Sequence, residues 1–501
     1  MNIKQAKDYI KQTVQIYLRK DEFNQYEIPV AKQRPVFLLG APGVGKTAIM
    51  EQIAEELSVA LVSYSMTHHT RQSALGLPFI THKNYNGFET DVTEYTMSEI
   101  ISTIYETMEL SGISEGILFL DEINCVSETL APSMLQFLQY KVFGRHKVPE
   151  GWVIVTAGNP VEYNRAVREF DVAVMDRLKI LEVEPDYQIF REYAIDKQLH
   201  PAIISFLDIK REYFYKIENT VSGRSYVTAR GWEDLSEIIK MYEAEGITVE
   251  ESLVEQYLRN TAVIKEFTVF YELYNKYKRD YHLEEIFDGS FDERVCERGK
   301  AAAFDERLSL LSMLSDRIVS ECRDNCLRTD YVLELNKLLK TVKSYDEADK
   351  DGIVKLLSDM LNTKRKELTS LKAASSLSKD DEKITRFVIR FLEKSMYELT
   401  DSKDSFETLK NQYNLEVSDI KSVSNIISEH IENVFDFLEK TFENNREMLL
   451  FVTLLTVNTY TSKFISRHNS AGYMKYKDSL MLNERNAVMK EEIVELLEGN
   501  L

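Results

Sequence analysis

The stretch that decides the fold is GAPGVGKT at residues 40–47. The apolar run VFLL at 36–39 leads into it, and Ile49, Ile53 and Leu57 follow it at helical spacing. Glycines let backbone N–H groups surround a phosphate, and the N-terminus of the following helix adds partial positive charge. The stretch fits G-x-x-x-x-G-K-[ST] and predicts a strand–loop–helix unit that binds a phosphate chain. The alternative is a glycine-rich turn before a helix.

Each part of this loop has an expected role. Lys46 is expected to reach the β- and γ-phosphates, and Thr47 is expected to ligate Mg²⁺. The residues predicted to hold the nucleotide are consecutive in the chain: Gly40, Ala41, Pro42, Gly43, Val44, Gly45, Lys46, Thr47 and Ala48.

Polar residues follow two further strand-like segments. The run ILFLDEIN at 117–124 ends its apolar part at Asp121 and Glu122, and WVIVTAGNP at 152–160 reaches Asn159. Ligands bind at the carboxyl edge of open α/β sheets. Asp121 would hold Mg²⁺, Glu122 would polarise the attacking water, and Asn159 would hydrogen-bond the γ-phosphate and that water. The alternatives are a solvated strand end and an Asn-Pro turn.

The composition excludes several classes of protein. The 501 residues include 62 Lys and Arg, 82 Asp and Glu, and 44% hydrophobic residues, with a net charge of −20. This content excludes wholesale disorder, and four cysteines exclude a disulfide-stapled module. The most apolar stretch, Met448–Val457, is half the length of a bilayer span. We therefore expect a soluble, cytoplasmic protein without a membrane span. The acidic balance argues against a general nucleic-acid binder, although a local basic channel stays open.

Proline usage divides the chain. All nine prolines lie between Pro29 and Pro201. Before that limit, short apolar runs alternate with segments of helical period, which predicts a parallel sheet with crossover helices. Because proline costs about 3 kcal/mol inside a helix, the proline-free remainder is expected to be helical.

The order of these motifs resembles the AAA+ ATPases. Within that family the chain resembles the MoxR group and the related dynein-like subfamily, which carry a helix-2 insert. The resemblance covers about residues 25–240 and also includes ALGLP at 74–78, the stretch from Met134 to Pro160, and MDRL at 175–178. It implies an AAA+ P-loop parallel sheet with a small helical lid, followed here by a large all-α C-terminal extension. The implied domains are 1–185, 186–250 and 251–501.

The resemblance also implies the roles of two arginines. Arg177 matches the family's finger, which acts on the ATP of a neighbouring subunit; Arg165 and Arg168 are rivals for this role. Arg230 matches the sensor 2 arginine of the lid, although Thr-Ala replaces the usual Ser-Pro before it, and Arg224 is its rival. Asn159 stands at the sensor 1 position. The implied catalytic residues are Glu122, Asn159, Arg177 and Arg230.

Two segments resemble the hairpins with which related ATPases line a central channel. Residues 77–92 contain Asn86-Gly87, a strong two-residue hairpin signal, and match the helix-2 insert. Residues 140–152, with Phe143, Gly144 and Arg145, match the pre-sensor-1 hairpin. Plain surface hairpins are the alternative for both segments.

The function implied by the resemblance is Mg²⁺-dependent ATP hydrolysis that remodels or activates a partner protein. MoxR proteins imply a homo-oligomeric ring, most often a hexamer, and partners with a von Willebrand factor A domain. Two other hypotheses stay open: a GTP-driven motor subunit of a nucleic-acid enzyme, and a nucleotide-dependent scaffold with little hydrolysis. Intact Glu122 and Arg177 argue against the scaffold.

Three other patterns favour ordinary packing over chemistry. Cys322 and Cys326 have i, i+4 spacing but no further cysteine pair beside them, and His68-His69 shows no zinc-protease motif. The aromatic run at 267–282 has helical spacing, which indicates a packed helix face more than a stacking surface for nucleic acid.

Overall fold

The protein is described here from a computed structural model. The structure describes residues 1–68, 74, 76–85, 88–143, 146–163, 167, 170, 172–220, 223–343, 350–399, 405–442 and 445–477. The chain divides into two compact units. The first comprises residues 1–189 with 359–385, and the second comprises 190–358 with 386–501.

The first unit is built around a five-stranded parallel sheet. The strands of this unit belong either to that sheet or to one of two separate hairpins, β3–β4 and β6–β7. They are β1 (Val36–Gly40), β2 (Ala60–Ser65), β3 (Pro78–Tyr85), β4 (Phe88–Tyr95), β5 (Gly116–Asp121), β6 (Val142–Phe143), β7 (His146–Lys147), β8 (Trp152–Gly158) and β9 (Lys179–Val183). The sheet order is β2-β5-β8-β1-β9 with parallel pairing throughout. The predicted parallel sheet is confirmed. Its central strands are mostly apolar, as is typical of buried parallel strands, and every residue of β8 is buried.

Among the described residues, five α-helices lie wholly within the first unit: α1 (Ile3–Tyr17), α2 (Lys46–Leu57), α3 (Glu99–Ser111), α4 (Ala131–Tyr140) and α5 (Val172–Met175). A capping box between Asn2 and Gln5 begins α1. Lys7 and Lys11 of α1 pair with Glu56 of α2 at 2.6 and 2.5 Å. These contacts place α1 beside the helix that follows the phosphate-loop motif.

A segment from far along the chain also belongs to the first unit. Ala374 is fully buried in the same core as Phe37 and Leu118. Its carbonyl accepts a 2.9 Å hydrogen bond from the backbone N–H of Leu61 on the edge strand β2. This bond satisfies one donor of an otherwise unpaired sheet edge. The domain boundaries implied by the resemblance stay predictions.

The two predicted hairpins are present as antiparallel strand pairs. In the first, Pro78 of β3 pairs with Tyr95 of β4 at one end and Tyr85 pairs with Phe88 at the other. In the second, β6 pairs with β7. The turn residues Asn86 and Gly87, like Gly144 and Arg145 of the second hairpin, lie outside the described residues. On the first hairpin Ile80 and Phe88 are 68% and 78% exposed.

The second unit is mostly helical, which confirms the predicted helical C-terminal part. Its elements are α6 (Tyr187–Asp196), α7 (Pro201–Ile209), β10 (Lys216–Thr220), β11 (Gly223–Val227), α8 (Ala229–Ala244), α9 (Glu251–Tyr257), α10 (Thr261–Asp280), α11 (Leu283–Phe287), α12 (Glu293–Ala301), α13 (Phe304–Lys343), α14 (Lys350–Ala373), α15 (Lys379–Leu399), α16 (Ser405–Thr441), α17 (Asn445–Val457) and α18 (Thr459–His468). Part of α6, of α14 and of α15 belongs to the first unit. The antiparallel hairpin β10–β11 lies inside the stretch predicted as a helical lid.

The core of the second unit lies between α13, α16, α17 and α18. Ile427, Ile431, Val434 and Leu438 of α16 are buried in it, at the 3–4 spacing of one helix face. Within the described residues no single helix meets the length and apolarity needed to cross a bilayer. Residues Arg446–Val457 and Thr459–His468 meet that criterion only together, with a bend of 98° between them.

Candidate nucleotide site

The loop of residues 40–47 joins the end of β1 to the start of α2. Gly43 and Gly45 have φ angles of +74° and +93°, a region that favours glycine. A Cβ on Gly40 would lie 2.8 Å from the carbonyl oxygen of Val183 on β9. The glycines therefore allow both the turn and the close packing of the loop against the sheet.

Lys46 begins α2 and is buried in the loop that it follows. Its Nζ donates to the carbonyl oxygens of Gly40 at 2.7 Å and Ala41 at 3.0 Å, and to Oδ1 of Asn159 at 2.9 Å. The ammonium group thus lies between the loop backbone and the end of β8. Contact with a phosphate oxygen at this position needs only an exchange of one acceptor for another.

Thr47 and Asp121 meet across the sheet edge. The Thr47 hydroxyl donates to the Asp121 carboxylate at 3.2 Å, and the other carboxylate oxygen accepts from the backbone N–H of Glu122 at 2.8 Å. Hydroxyl and carboxylate oxygens suit Mg²⁺, which is typically bound by one or two carboxylates together with substrate phosphates and water. Within the part of the chain that the structure describes, no group of three or more His, Cys, Asp or Glu side chains could hold a metal ion.

Glu122 has an unusual backbone and a well-defined side-chain position. Its φ and ψ are +55° and +34°, a left-handed conformation that costs a residue other than glycine on the order of 1–3 kcal/mol. Its Oε2 accepts from the hydroxyls of Ser65 at 3.0 Å and Thr67 at 3.1 Å. Sequence reasoning missed these two hydroxyls, although their place at the polar end of β2 was a usable signal.

Both the side chain and the backbone of Asn159 are held by hydrogen bonds. Its side-chain oxygen accepts from Lys46, and its backbone carbonyl accepts from the side-chain amide of Asn124 at 2.8 Å. Because an ammonium group only donates, the Asn159 side chain presents its oxygen to Lys46 and keeps its NH₂ group as a donor. Asn124 is a second residue that sequence reasoning missed.

The electrostatics of the site favour bound cations. Asp121 and Glu122 lie next to each other at the end of β5. The pKa of the neighbouring Cys125 thiol is raised, first by burial and then by the charges of Glu122 and Asp121. The same negative potential favours a cation at this edge of the sheet.

The structure gives positions for the two predicted arginines but does not test their roles. Arg177 is exposed in the turn after α5, and its rivals Arg165 and Arg168 lie outside the described residues. Arg230 is exposed in the first turn of α8, in the second unit, and its rival Arg224 lies on β11. The roles of both arginines stay predictions.

The parallel sheet, the glycine loop and the polar strand ends define a P-loop nucleotide-binding domain. Residues 35–178 match the family model described as AAA domain (dynein-related subfamily). This part of the chain is an AAA+ ATPase domain. The match covers less than a third of the chain and ends before α6. No curated protein matches the chain.

The patterns set aside from the sequence lie in packed surroundings. Cys322 and Cys326 are buried on α13, and burial raises the pKa of both thiols. Phe267, Tyr271 and Tyr274 are buried on α10, which makes the aromatic run a packed helix face. His69 lies outside the described residues, as does Leu75 of the ALGLP segment.

Proposed function

We propose that the protein is a MoxR-like AAA+ ATPase that hydrolyses ATP with Mg²⁺ and uses the energy to remodel or activate a partner protein. The observation that carries this proposal is the meeting of Lys46, Thr47, Asp121 and Asn159 at one edge of the sheet. Three chain segments, the loop before α2 and the ends of β5 and β8, supply the charges and donors that a triphosphate and its metal require.

The residues present fit both groups. Lys46, with the backbone N–H groups of the loop, would hold the β- and γ-phosphates. Thr47 and Asp121 would hold Mg²⁺, which supplies charge neutralisation on the phosphate oxygens when bound. Glu122 would accept a proton from the attacking water, and the Asn159 amide would donate to the γ-phosphate.

The energy of hydrolysis is proposed to act on a partner through a homo-oligomeric ring, a hexamer in our proposal. Exposed Arg177 supports this arrangement because a finger must reach a neighbouring subunit's ATP. The exposed apolar side chains Ile80 and Phe88 on the β3–β4 hairpin offer a surface for a partner, for which we propose a von Willebrand factor A domain protein. Four free cysteines fit a reducing compartment and support a cytoplasmic location.

Two variants test the nucleotide chemistry. Lys46→Ala is expected to abolish ATP binding, measured with a fluorescent ATP analogue. Glu122→Gln is expected to keep binding while turnover falls about 10²- to 10⁴-fold, the usual contribution of a general base. The matched control is Lys440→Ala, an exposed lysine of α16. Tight ATP binding by Lys46→Ala, or unchanged turnover in Glu122→Gln, would remove that residue from its role.

The same assays separate the competing functions. Turnover of GTP but not ATP, stimulated by DNA, would replace the proposal with the motor subunit. Binding of ATP without turnover by the unmodified protein would favour the scaffold.

Mixed assemblies test the ring. Arg177→Ala is expected to lose about 10³- to 10⁵-fold in turnover, the usual contribution of an arginine finger. Lys46→Ala subunits cannot bind ATP but still carry Arg177, so adding them should restore part of the activity. Absence of recovery across several mixing ratios would count against action between subunits.

A further inference from the structure

We infer that Asn124 is a positioning residue for hydrolysis: it fixes the end of β8 so that the Asn159 side chain meets Lys46. This inference rests on the proposed ATPase function. Asn124 lies in the short 3₁₀ turn Ile123–Cys125 after the acidic pair and is only 4% exposed. Its hydrogen bond joins the end of β5 to the end of β8, the two strand ends that carry Glu122 and Asn159.

The first step of the argument is the hydrogen bond itself. The Asn124 Nδ2 donates to the backbone carbonyl of Asn159 at 2.8 Å. Asn159 follows directly after β8, where sheet pairing no longer defines the backbone. Without this donor the carbonyl would lose its described partner at the point where the side chain must be oriented.

The second step is the shape of the residue before Asn159. A Cβ on Gly158 would lie 2.5 Å from Oδ1 and 2.7 Å from Cγ of Asn124. Real Cβ atoms do not approach other atoms this closely, so the space at Gly158 is occupied by the Asn124 amide. Gly158 and Asn124 therefore form a complementary pair, and a side chain at 158 would displace the amide.

The third step connects this pair to the site. The Asn159 Oδ1 accepts from Lys46 at 2.9 Å, so a rotation of the Asn159 backbone moves an acceptor of the lysine. A displacement of about 1 Å can cost about 10²-fold in rate even when it originates away from the reacting atoms. Asn124 is expected to act in this way, without itself touching the nucleotide.

A double-mutant cycle tests the inference. We expect Asn124→Ala and Gly158→Ala each to lower kcat about 10- to 100-fold, with KM for ATP within about threefold because the phosphate loop is intact. If Gly158→Ala acts by displacing Asn124, the double variant will be no slower than Asn124→Ala alone. A double variant slowed by the product of the two single effects would overturn the inference, as would an unchanged kcat in Asn124→Ala.

A control and a second measurement keep the result independent of folding and of the proposed function. Asn433→Ala removes a comparable bond, from a side-chain amide to the carbonyl of Phe287 at 2.7 Å in the second unit, and should leave kcat unchanged. Crystal structures of the wild type and of Asn124→Ala should show the Asn159–Lys46 bond lost in the variant. An Asn159 side chain that does not move in the variant would overturn the inference, whether or not the wild type hydrolyses nucleotide. A wild type that hydrolyses no nucleotide would instead refute the proposed function.

Discussion

Replacing Lys141 by methionine is expected to stabilise the first unit at neutral pH. Lys141 follows α4 and is 3% exposed, and its Nζ donates a long hydrogen bond to Oε1 of Gln33 at 3.4 Å. Burial lowers the pKa of Lys141 from 10.5 to about 8. One pKa unit corresponds to about 1.4 kcal/mol, so the buried charge costs on the order of 3 kcal/mol. Methionine keeps an unbranched apolar side chain as far as Cε and removes the charged amine, so we expect a gain of about 2–3 kcal/mol at pH 7.

The pH dependence of this gain follows from the direction of the pKa change. The unfolded chain holds the proton more tightly than the folded one, so the cost of Lys141 is fully present below pH 8. It falls as the pH rises towards 10.5, because the amine is then neutral in both states. The advantage of Lys141→Met should therefore be largest at pH 7 and small near pH 10.

Urea unfolding at several pH values measures this difference. Trp152 lies on β8 of the first unit and Trp232 on α8 of the second, so a Trp232→Phe background confines the fluorescence signal to the first unit. Lys394→Met, at a 70% exposed lysine of α15, is the control, and its effect should stay within about 0.5 kcal/mol. A gain for Lys141→Met that is absent at pH 7, or equal at pH 7 and pH 10, would refute the reasoning.

Three further results are expected. Gly40→Ala should destabilise the protein by about 1–3 kcal/mol in urea unfolding, because its Cβ would lie 2.8 Å from the carbonyl oxygen of Val183; unchanged stability would contradict that contact. In the native protein a thiol reagent should label Cys125 well before buried Cys322, and equal rates would show that the helical core opens readily. Burial opposes ionisation of Glu243, but its hydrogen bonds and neighbouring charges lower its pKa to about 2. The ionised Glu243 therefore stabilises the folded protein above pH 4.5, and this stability is lost as the pH falls from 4.5 towards 2. Glu243→Gln lacks this stability, so its acid unfolding should begin at a higher pH than that of the wild type.

The motif residues could be predicted because their requirements are local. A turn around a phosphate needs glycine at positive φ, as found at Gly43 and Gly45, and a buried parallel strand needs an unbroken apolar run, as in β5 and β8. The absence of proline after residue 201 likewise reflects the cost of proline within each helix. Such local rules predict the parallel sheet, the helical C-terminal part and the polar residues at the sheet edge.

The contacts that complete the site depended on packing between distant parts of the chain. The hydroxyls of Ser65 and Thr67 meet Glu122 more than fifty residues away, and Asn124 meets the carbonyl of Asn159 thirty-five residues away. The contact of Ala374 with β2 spans more than three hundred residues. Periodicity and spacing describe one element at a time, whereas these contacts exist only after strands and helices have assembled. By itself the sequence determined the residues that we propose to bind a triphosphate, and only the tertiary structure decided which neighbours hold them in place.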